Sequence, residues 1–135
     1  MLERLRWWRR RPVALLPSLQ AYELWANCYP PQAHNPLMAA EEAAMRALLP
    51  DCAGRDVLDL ACGTGRYGLM AAARGARQVI GADNSPAMLR AGRLRWAVLA
   101  EMAALPLASG SMDGILCGLA VSHLPRLEPA LAEMA

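Results

Sequence analysis

A short apolar strand near the middle of the chain runs into a glycine-rich turn, and a helical pattern follows at once. The strand covers residues 57–60, the turn reads Ala-Cys-Gly-Thr-Gly, and the helix starts near Arg66. Glycine lets the main chain approach a ligand closely, and the free N–H groups at a helix start face anionic groups. This order of strand, tight turn and helix favours an α/β fold with a nucleotide-like cofactor at the turn.

Helical and strand-like segments alternate on both sides of this turn. The predicted strands are residues 57–60, 78–82, 96–100 and 112–117. The predicted helices are residues 36–48, 66–74, 87–94 and 127–134. Such alternation predicts βαβ units in a doubly wound parallel sheet of the α/β class, here its first four strands, with flanking helices on both faces.

The helix before the first strand carries clear start and stop signals. Asn35 followed by proline is a typical N-terminal cap, and Pro50 ends the pattern. Apolar residues recur inside it at helical spacing, which predicts a buried face formed by Leu37, Ala40, Ala44 and Leu48. Methionines at helical spacings are interpreted as core residues: Met38, Met45, Met70 and Met88.

Composition limits the class of protein. The 135 residues fit one domain of ordinary size, and 56% hydrophobic with 19% charged residues is typical of a globular chain. No apolar run approaches the roughly 20 residues of a membrane span, so no transmembrane segment is expected. The net charge of +2 is too small to indicate binding of nucleic acid. The four cysteines form no CxxC pair, so neither a metal site nor a disulfide framework is indicated. We therefore expect a cytoplasmic protein with reduced thiols.

Arginine is concentrated at the N-terminus, where five of the fourteen basic residues lie within residues 1–20 beside Trp7 and Trp8. We interpret residues 1–20 as a basic N-terminal segment in contact with solvent. Binding of membrane headgroups or RNA by this segment would make the chain a non-catalytic interaction module. That function stays open as one alternative.

Polar, glycine or sulfur-containing residues lie at the end of each predicted strand or directly after it. They are Asp59 with the glycine turn, Asp83 and Asn84, Glu101 and Met102, and Cys117 with Gly118. In open α/β sheets the ligand lies beyond the carboxyl ends of the strands, where the strand order reverses. The sequence therefore predicts one cofactor site built from all four strand ends.

The cofactor class depends on Asp59. The turn matches G-x-G-x-x-G from Gly63, and Asp83 follows Gly65 by eighteen residues, close to the spacing for a ribose-binding acid. However, the negative charge of Asp59 would oppose a pyrophosphate at the turn and would stabilise a cofactor that carries an ammonium group. A nicotinamide-dinucleotide oxidoreductase fragment stays open as the second alternative.

The chain resembles the class I S-adenosylmethionine-dependent methyltransferases, especially the small-molecule group related to quinone- and biotin-pathway enzymes. Residues 59–65 resemble the first motif of the family, and residues 80–89 resemble the second. Residues 101–113 and 122–124 resemble the third and fourth motifs. The likeness covers about residues 55 to 134 and implies a Rossmann-like fold, S-adenosyl-L-methionine as cofactor and a small-molecule methyl acceptor.

The resemblance also implies roles for individual residues. Asp59 and the carbonyl of Ala61, which replaces a family glycine, would hold the ammonium group of the cofactor. The turn, through Cys62, Gly63 and Gly65, would pass beneath its sugar and amino-acid portions, and Asp83 would accept both ribose hydroxyls.

The adenine end is implied in the same way. Glu101, where aspartate is more usual, would accept a hydrogen bond from the adenine amino group, and the Met102 N–H would donate to a ring nitrogen. Asn84 and Cys117 would line the adenine and methionine ends.

Residues 21–52 resemble the lid-like N-terminal helices of these enzymes and precede the cofactor-binding domain at residues 53–135. Tyr29 and His34 are candidate lid or substrate contacts, and His123 is a candidate base or a packing residue. No residue is assigned a catalytic role.

Relatives in the resembled family continue with further strands, whereas this sequence stops at Ala135 within a predicted helix. We therefore expect a domain that is incomplete at its C-terminus. The fourth strand would be an open edge of the sheet, and methyl transfer by such a fragment would be impaired.

Overall fold

The computed structural model describes residues 15–135, so the predicted basic segment lies largely outside the described residues. The strands are β1 (Asp56–Leu60), β2 (Gln78–Asp83), β3 (Trp96–Leu99) and β4 (Gly114–Cys117). The helices are α1 (Ser18–Trp25), α2 (Pro36–Leu48), α3 (Arg66–Ala73), α4 (Pro86–Ala91) and α5 (Glu128–Met134). Short 3₁₀ turns cover Ala26–Cys28 and Val121–His123.

The four strands form one parallel sheet with the order β3-β2-β1-β4. Strand β1 lies between β2 and β4, and its Leu58 pairs with Ile80 of β2 on one side and Ile115 of β4 on the other. The chain moves outward from β1 to β3 and then returns to the far side of β1. The predicted doubly wound α/β sheet is confirmed, and its order reverses between β1 and β4.

Alternation along β1 separates the core into two layers. Val57 packs in a cluster with Met70 and Ala71 of α3, whereas Leu58 and Leu60 pack on the opposite face of the sheet. That second face is covered by the loop that follows β3 and by Met134 of α5. Because side chains alternate between faces, Asp59 falls on the α3 side.

The helix predicted between Asn35 and Pro50 is present, but its predicted apolar face is wrong. The Asn35 side chain caps α2 by accepting from the Met38 N–H at 2.9 Å. The four residues expected to be buried are all exposed: Leu37, Ala40, Ala44 and Leu48. Met38 is buried instead, and Met45 packs against the core cluster that contains Leu49. The methionines were therefore correctly interpreted as core.

Two element boundaries differ from the prediction by more than one residue. The helix expected over residues 87–94 ends at Ala91, because Gly92 leaves the helical conformation with ψ of 165°. The fourth strand begins at Gly114 rather than at residue 112. Across residues 15–135, no helix has both the length and the apolar character needed to cross a membrane.

Candidate functional site

A cavity of about 580 Å³ opens at the carboxyl ends of the strands, where the strand order reverses. Residues from all four strand ends line it, namely Ala61 to Thr64, Asp83 and Asn84, Ala100 to Met102, and Gly118 to Ala120. Helix α1 closes another side through Leu19, Tyr22 and Trp25. The structure thus brings together the strand ends that the sequence predicted to share a site.

Asp59 is the most deeply buried acid of the cavity wall, with 2% of its surface exposed. Its Oδ2 accepts a hydrogen bond of 2.7 Å from the N–H of Gly68 in α3. Burial raises the pKa of Asp59 to about 7, and the nearby Asp83 charge adds to the rise. A positive group in the cavity would therefore be stabilised by Asp59 and would restore its ionised form.

The turn after β1 takes a tight left-handed path. Ala61 has φ of 55° and Gly63 has φ of 54°, in the region where glycine is normally favoured. The Gly65 N–H donates to the Cys62 carbonyl at 2.8 Å, which closes the turn before α3. At Gly63 an added Cβ would lie 3.0 Å from the Met88 side chain. Residues 61–64 of this turn form part of the cavity wall.

Asp83 connects the ends of β1 and β2. Its Oδ2 accepts from the Gly63 N–H at 2.8 Å, and its Oδ1 accepts from the Ser85 N–H at 2.9 Å. Partial burial raises the pKa of Asp83, and these amide hydrogen bonds oppose that rise. Each carboxylate oxygen keeps a further lone pair, so Asp83 can still accept hydrogen bonds from two hydroxyls in the cavity.

The outer end of the cavity is polar. Asn84 Nδ2 lies 3.3 Å from both carboxylate oxygens of Glu101. Both residues are exposed, and Met102 beside them is half-buried. This end therefore offers a carboxylate, an amide and a main-chain segment to a ligand.

Aromatic side chains from α1 and the residues after it form another wall of the cavity. Tyr22 stacks on Trp25 with ring centroids 6.1 Å apart, and Trp25 meets Tyr29 edge to face at 4.8 Å. The Tyr22 hydroxyl lies 3.4 Å from Nε2 of His123, which brings the turn after β4 against α1. Burial raises the pKa of Tyr22, so its hydroxyl stays neutral near neutral pH.

Arg66 lines the cavity and is held there by acids from α2. Its Nη2 lies 3.2 Å from Glu41 Oε2 and 2.9 Å from the Tyr67 hydroxyl, and its Nη1 is 3.8 Å from Glu42. Burial raises the pKa of Glu41. The positive charge of Arg66 is thus balanced within the protein.

Most of the residues proposed from the sequence line this cavity. They are Tyr29, Asp59, Ala61, Cys62, Gly63, Asp83, Asn84, Glu101, Met102 and His123. Gly65, Cys117 and His34 are not part of the lining. Gly65 lies against the Leu94 side chain, Cys117 packs on the cluster around Leu60, and the His34 ring lies edge-on to Trp25 at 5.3 Å.

The sequence interpretation missed Tyr22, Trp25, Arg66 and Leu119 as cavity residues. Leu119 has φ of 50°, an unusual conformation for a bulky side chain, and Ala61 is the other non-glycine residue with positive φ among those described. Backbone strain of this kind clusters at functional sites. Nothing in the local sequence signals the strain at Leu119.

No three His, Cys, Asp or Glu side chains within residues 15–135 are arranged to hold a metal ion. The four cysteines are all free. Burial raises the pKa of the Cys62 thiol, so this cysteine remains protonated beside the cavity.

A family model described as a methyltransferase domain matches residues 57–135. A protein of Mycolicibacterium smegmatis described as a probable S-adenosylmethionine-dependent methyltransferase is 37% identical over 87 residues, covering 62% of this chain and 34% of that protein. The crystal structure of an S-adenosylmethionine-dependent methyltransferase from Mesorhizobium loti is 33% identical with a TM-score of 0.53, covering 58% of this chain and 38% of that one.

The crystal structure of a magnesium protoporphyrin IX methyltransferase from Synechocystis is 18% identical to this chain and has a TM-score of 0.63, covering 92% of this chain and 73% of that one. At this identity the similarity is one of fold. The chain spans about a third of the length of the Mycolicibacterium smegmatis relative that it matches.

Proposed function

The chain belongs to the methyltransferase-domain family, and we propose that it forms the cofactor-binding part of an S-adenosylmethionine-dependent methyltransferase for a small molecule. The observation that carries the proposal is the buried carboxylate of Asp59 at the cavity wall. A carboxylate with so little solvent and a raised pKa needs a positive partner to remain ionised. The ammonium group of S-adenosylmethionine would be that partner.

The other polar groups of the cavity fit the rest of this cofactor. The lone pairs of Asp83 that are not used by the Gly63 and Ser85 amides would accept the ribose hydroxyls. Glu101 and the main chain of Met102 would contact the adenine. When bound, the cofactor supplies an activated methyl group on a sulfonium ion.

The residues of the chain would then act mainly by orientation and by exclusion of water. The turn at Ala61 to Thr64 would support the cofactor from below, and the aromatic wall around Tyr22 would cover it from above. Such positioning lowers the barrier because the acceptor and the methyl group are already aligned.

An apolar small molecule is the acceptor class that the lining supports. Tyr22, Trp25 and Tyr29 present ring surfaces, and the charge of Arg66 is already balanced by Glu41 and Glu42. The free cysteines agree with a reducing, cytoplasmic location, which is part of the same proposal.

A thermal-shift experiment separates this function from the two alternatives. We expect S-adenosylhomocysteine to raise the melting temperature of the chain and NAD to leave it unchanged, because only a ligand of the native state stabilises it. A shift with NAD alone would favour the oxidoreductase fragment. The absence of a shift with either compound, together with RNA or lipid binding by residues 1–20, would favour the interaction module.

A further inference from the structure

A hydrogen-bonded connection joins α1 to the start of α4. Oε1 of Glu23 accepts from the Ser85 hydroxyl at 2.6 Å and from the Ala87 N–H at 3.1 Å. Glu23 and Ser85 are 62 residues apart in the sequence. Glu23 therefore satisfies an N–H at the start of α4 from a distant part of the chain.

Ser85 has little freedom in this arrangement. It is 1% exposed, and its Oγ also accepts from the Met88 N–H at 3.2 Å as the N-cap of α4. A serine hydroxyl has one proton to donate, and Glu23 accepts it. Loss of the Glu23 carboxylate would leave a buried hydroxyl without its acceptor, which favours another rotamer or a shift of the segment.

The connection continues to the cavity through the main chain. The N–H of Ser85 donates to Asp83 Oδ1, and the opposite oxygen, Oδ2, accepts from the Gly63 N–H. A displacement of Ser85 would thus move one of the amide donors that orient the Asp83 carboxylate. The hydrogen bonds lead without a gap from α1 through Ser85 and Asp83 to the turn after β1.

We propose that Glu23 is a positioning residue for cofactor binding, which holds Ser85 and through it keeps the Asp83 carboxylate oriented toward the ribose. This inference rests on the proposed function, because it takes S-adenosylmethionine as the ligand of Asp83. Glu23 lies outside residues 57–135, the part of the chain that the methyltransferase-domain family covers. Helix α1 would therefore contribute to the cofactor site by orienting a residue of the domain that the family model matches, as well as by lining the cavity.

Titration of the full chain with S-adenosylhomocysteine, followed by NMR so that weak binding is also measured, tests the proposal. We expect Glu23→Ala to weaken binding about five- to tenfold, in the usual range of coupling between groups in one network. Glu23→Gln keeps an oxygen that can accept both hydrogen bonds and should retain most of the affinity. Glu128→Ala, at a position where 78% of the side chain is exposed, is the matched control and should not change it.

A second ligand separates orientation of Asp83 from a general loosening of α1. The analogue of S-adenosylhomocysteine that lacks the 2′-hydroxyl should bind the unchanged chain less tightly, because one hydrogen bond to Asp83 is lost. In Glu23→Ala the loss of affinity caused by removal of the 2′-hydroxyl should be smaller, since Asp83 is no longer held in place. Amide exchange at Gly63 and Ser85 should also be faster in Glu23→Ala than in Glu128→Ala.

The outcomes are distinct. The role of Glu23 is overturned, and the proposed function left intact, if Glu23→Ala binds as tightly as the unchanged chain. The same holds if removal of the 2′-hydroxyl weakens binding equally in both. An absence of S-adenosylhomocysteine binding by the unchanged chain overturns the proposed function and this inference together.

Discussion

Ala61 occupies a backbone conformation that the chain could hold more easily with glycine. Its φ of 55° lies in the left-handed region, at the turn that supports the cavity. A non-glycine residue there costs about 1–2 kcal/mol, and glycine loses about 0.5–1 kcal/mol through its greater freedom in the unfolded chain. We therefore expect Ala61→Gly to raise the free energy of unfolding by up to about 1 kcal/mol.

Denaturant unfolding of Ala61→Gly measures this change. Ala43→Gly, at an exposed position inside α2, is the control and should lower the free energy of unfolding by about 1 kcal/mol. A decrease in both variants would mean that the turn holds Ala61 without strain.

Single residues at strand ends could be predicted, and residues from distant segments could not. Asp59 and Asp83 were identified because each ends an apolar strand, and parallel strands bring their carboxyl ends to one edge. Glu23 and Tyr22 carry no such signal, because their roles depend on where α1 packs. The side-chain direction of Cys117 was equally hidden, since alternation within a short strand depends on its register.

At the scale of the element, α2 shows which sequence signals are decisive. Its start was predicted from Asn35 and the proline that follows, because a cap and a fixed φ act locally. Its buried face was predicted wrongly, because an alanine-rich helix offers several apolar stripes of similar strength. Packing selected Met38 and Met45 and left Leu37 and Leu48 exposed.

Paired substitutions in α2 test that assignment of faces. Met45→Ser should lower the free energy of unfolding by about 2 kcal/mol, because it removes a side chain that packs on the core cluster. Leu48→Ser, where 79% of the residue is exposed, should stay within about 0.5 kcal/mol. Urea unfolding measures the free energy of unfolding of both variants. A larger decrease for Leu48→Ser would support the buried face first predicted from the sequence.

At the scale of the whole molecule, the fold followed from the alternation of helices and strands. Right-handed crossovers allow few orders for four parallel strands, and the reversal beside β1 locates the cavity. The closure of that cavity by α1 is a property of the complete tertiary arrangement. It rests on contacts such as Tyr22 with His123, which lie 101 residues apart and have no local pattern.

The raised pKa of Asp59 gives the stability of the molecule a contribution that depends on pH. This pKa is about 7 in the folded chain and near 3.8 when the group is exposed to solvent. Between these values the folded chain binds more protons than the unfolded chain, so its stability falls as the pH rises. Burial also raises the pKa values of Asp83 and Glu41, which contribute in the same direction.

Asp59→Asn should therefore have opposite effects on stability and on ligand binding. Without ligand, the variant should be more stable than the unchanged chain at about pH 8, where ionised Asp59 is unfavourable, and the two should converge only below about pH 4, where Asp59 is protonated in the folded and the unfolded chain alike. Affinity of the unchanged chain for S-adenosylhomocysteine should rise up to about tenfold from about pH 6 to pH 8, as Asp59 ionises beside the ammonium group. In Asp59→Asn the affinity should be lower and nearly independent of pH. Thermal unfolding and ligand titration at several pH values measure both effects, and a variant that binds as tightly as the unchanged chain at pH 8 would exclude Asp59 as the ammonium partner.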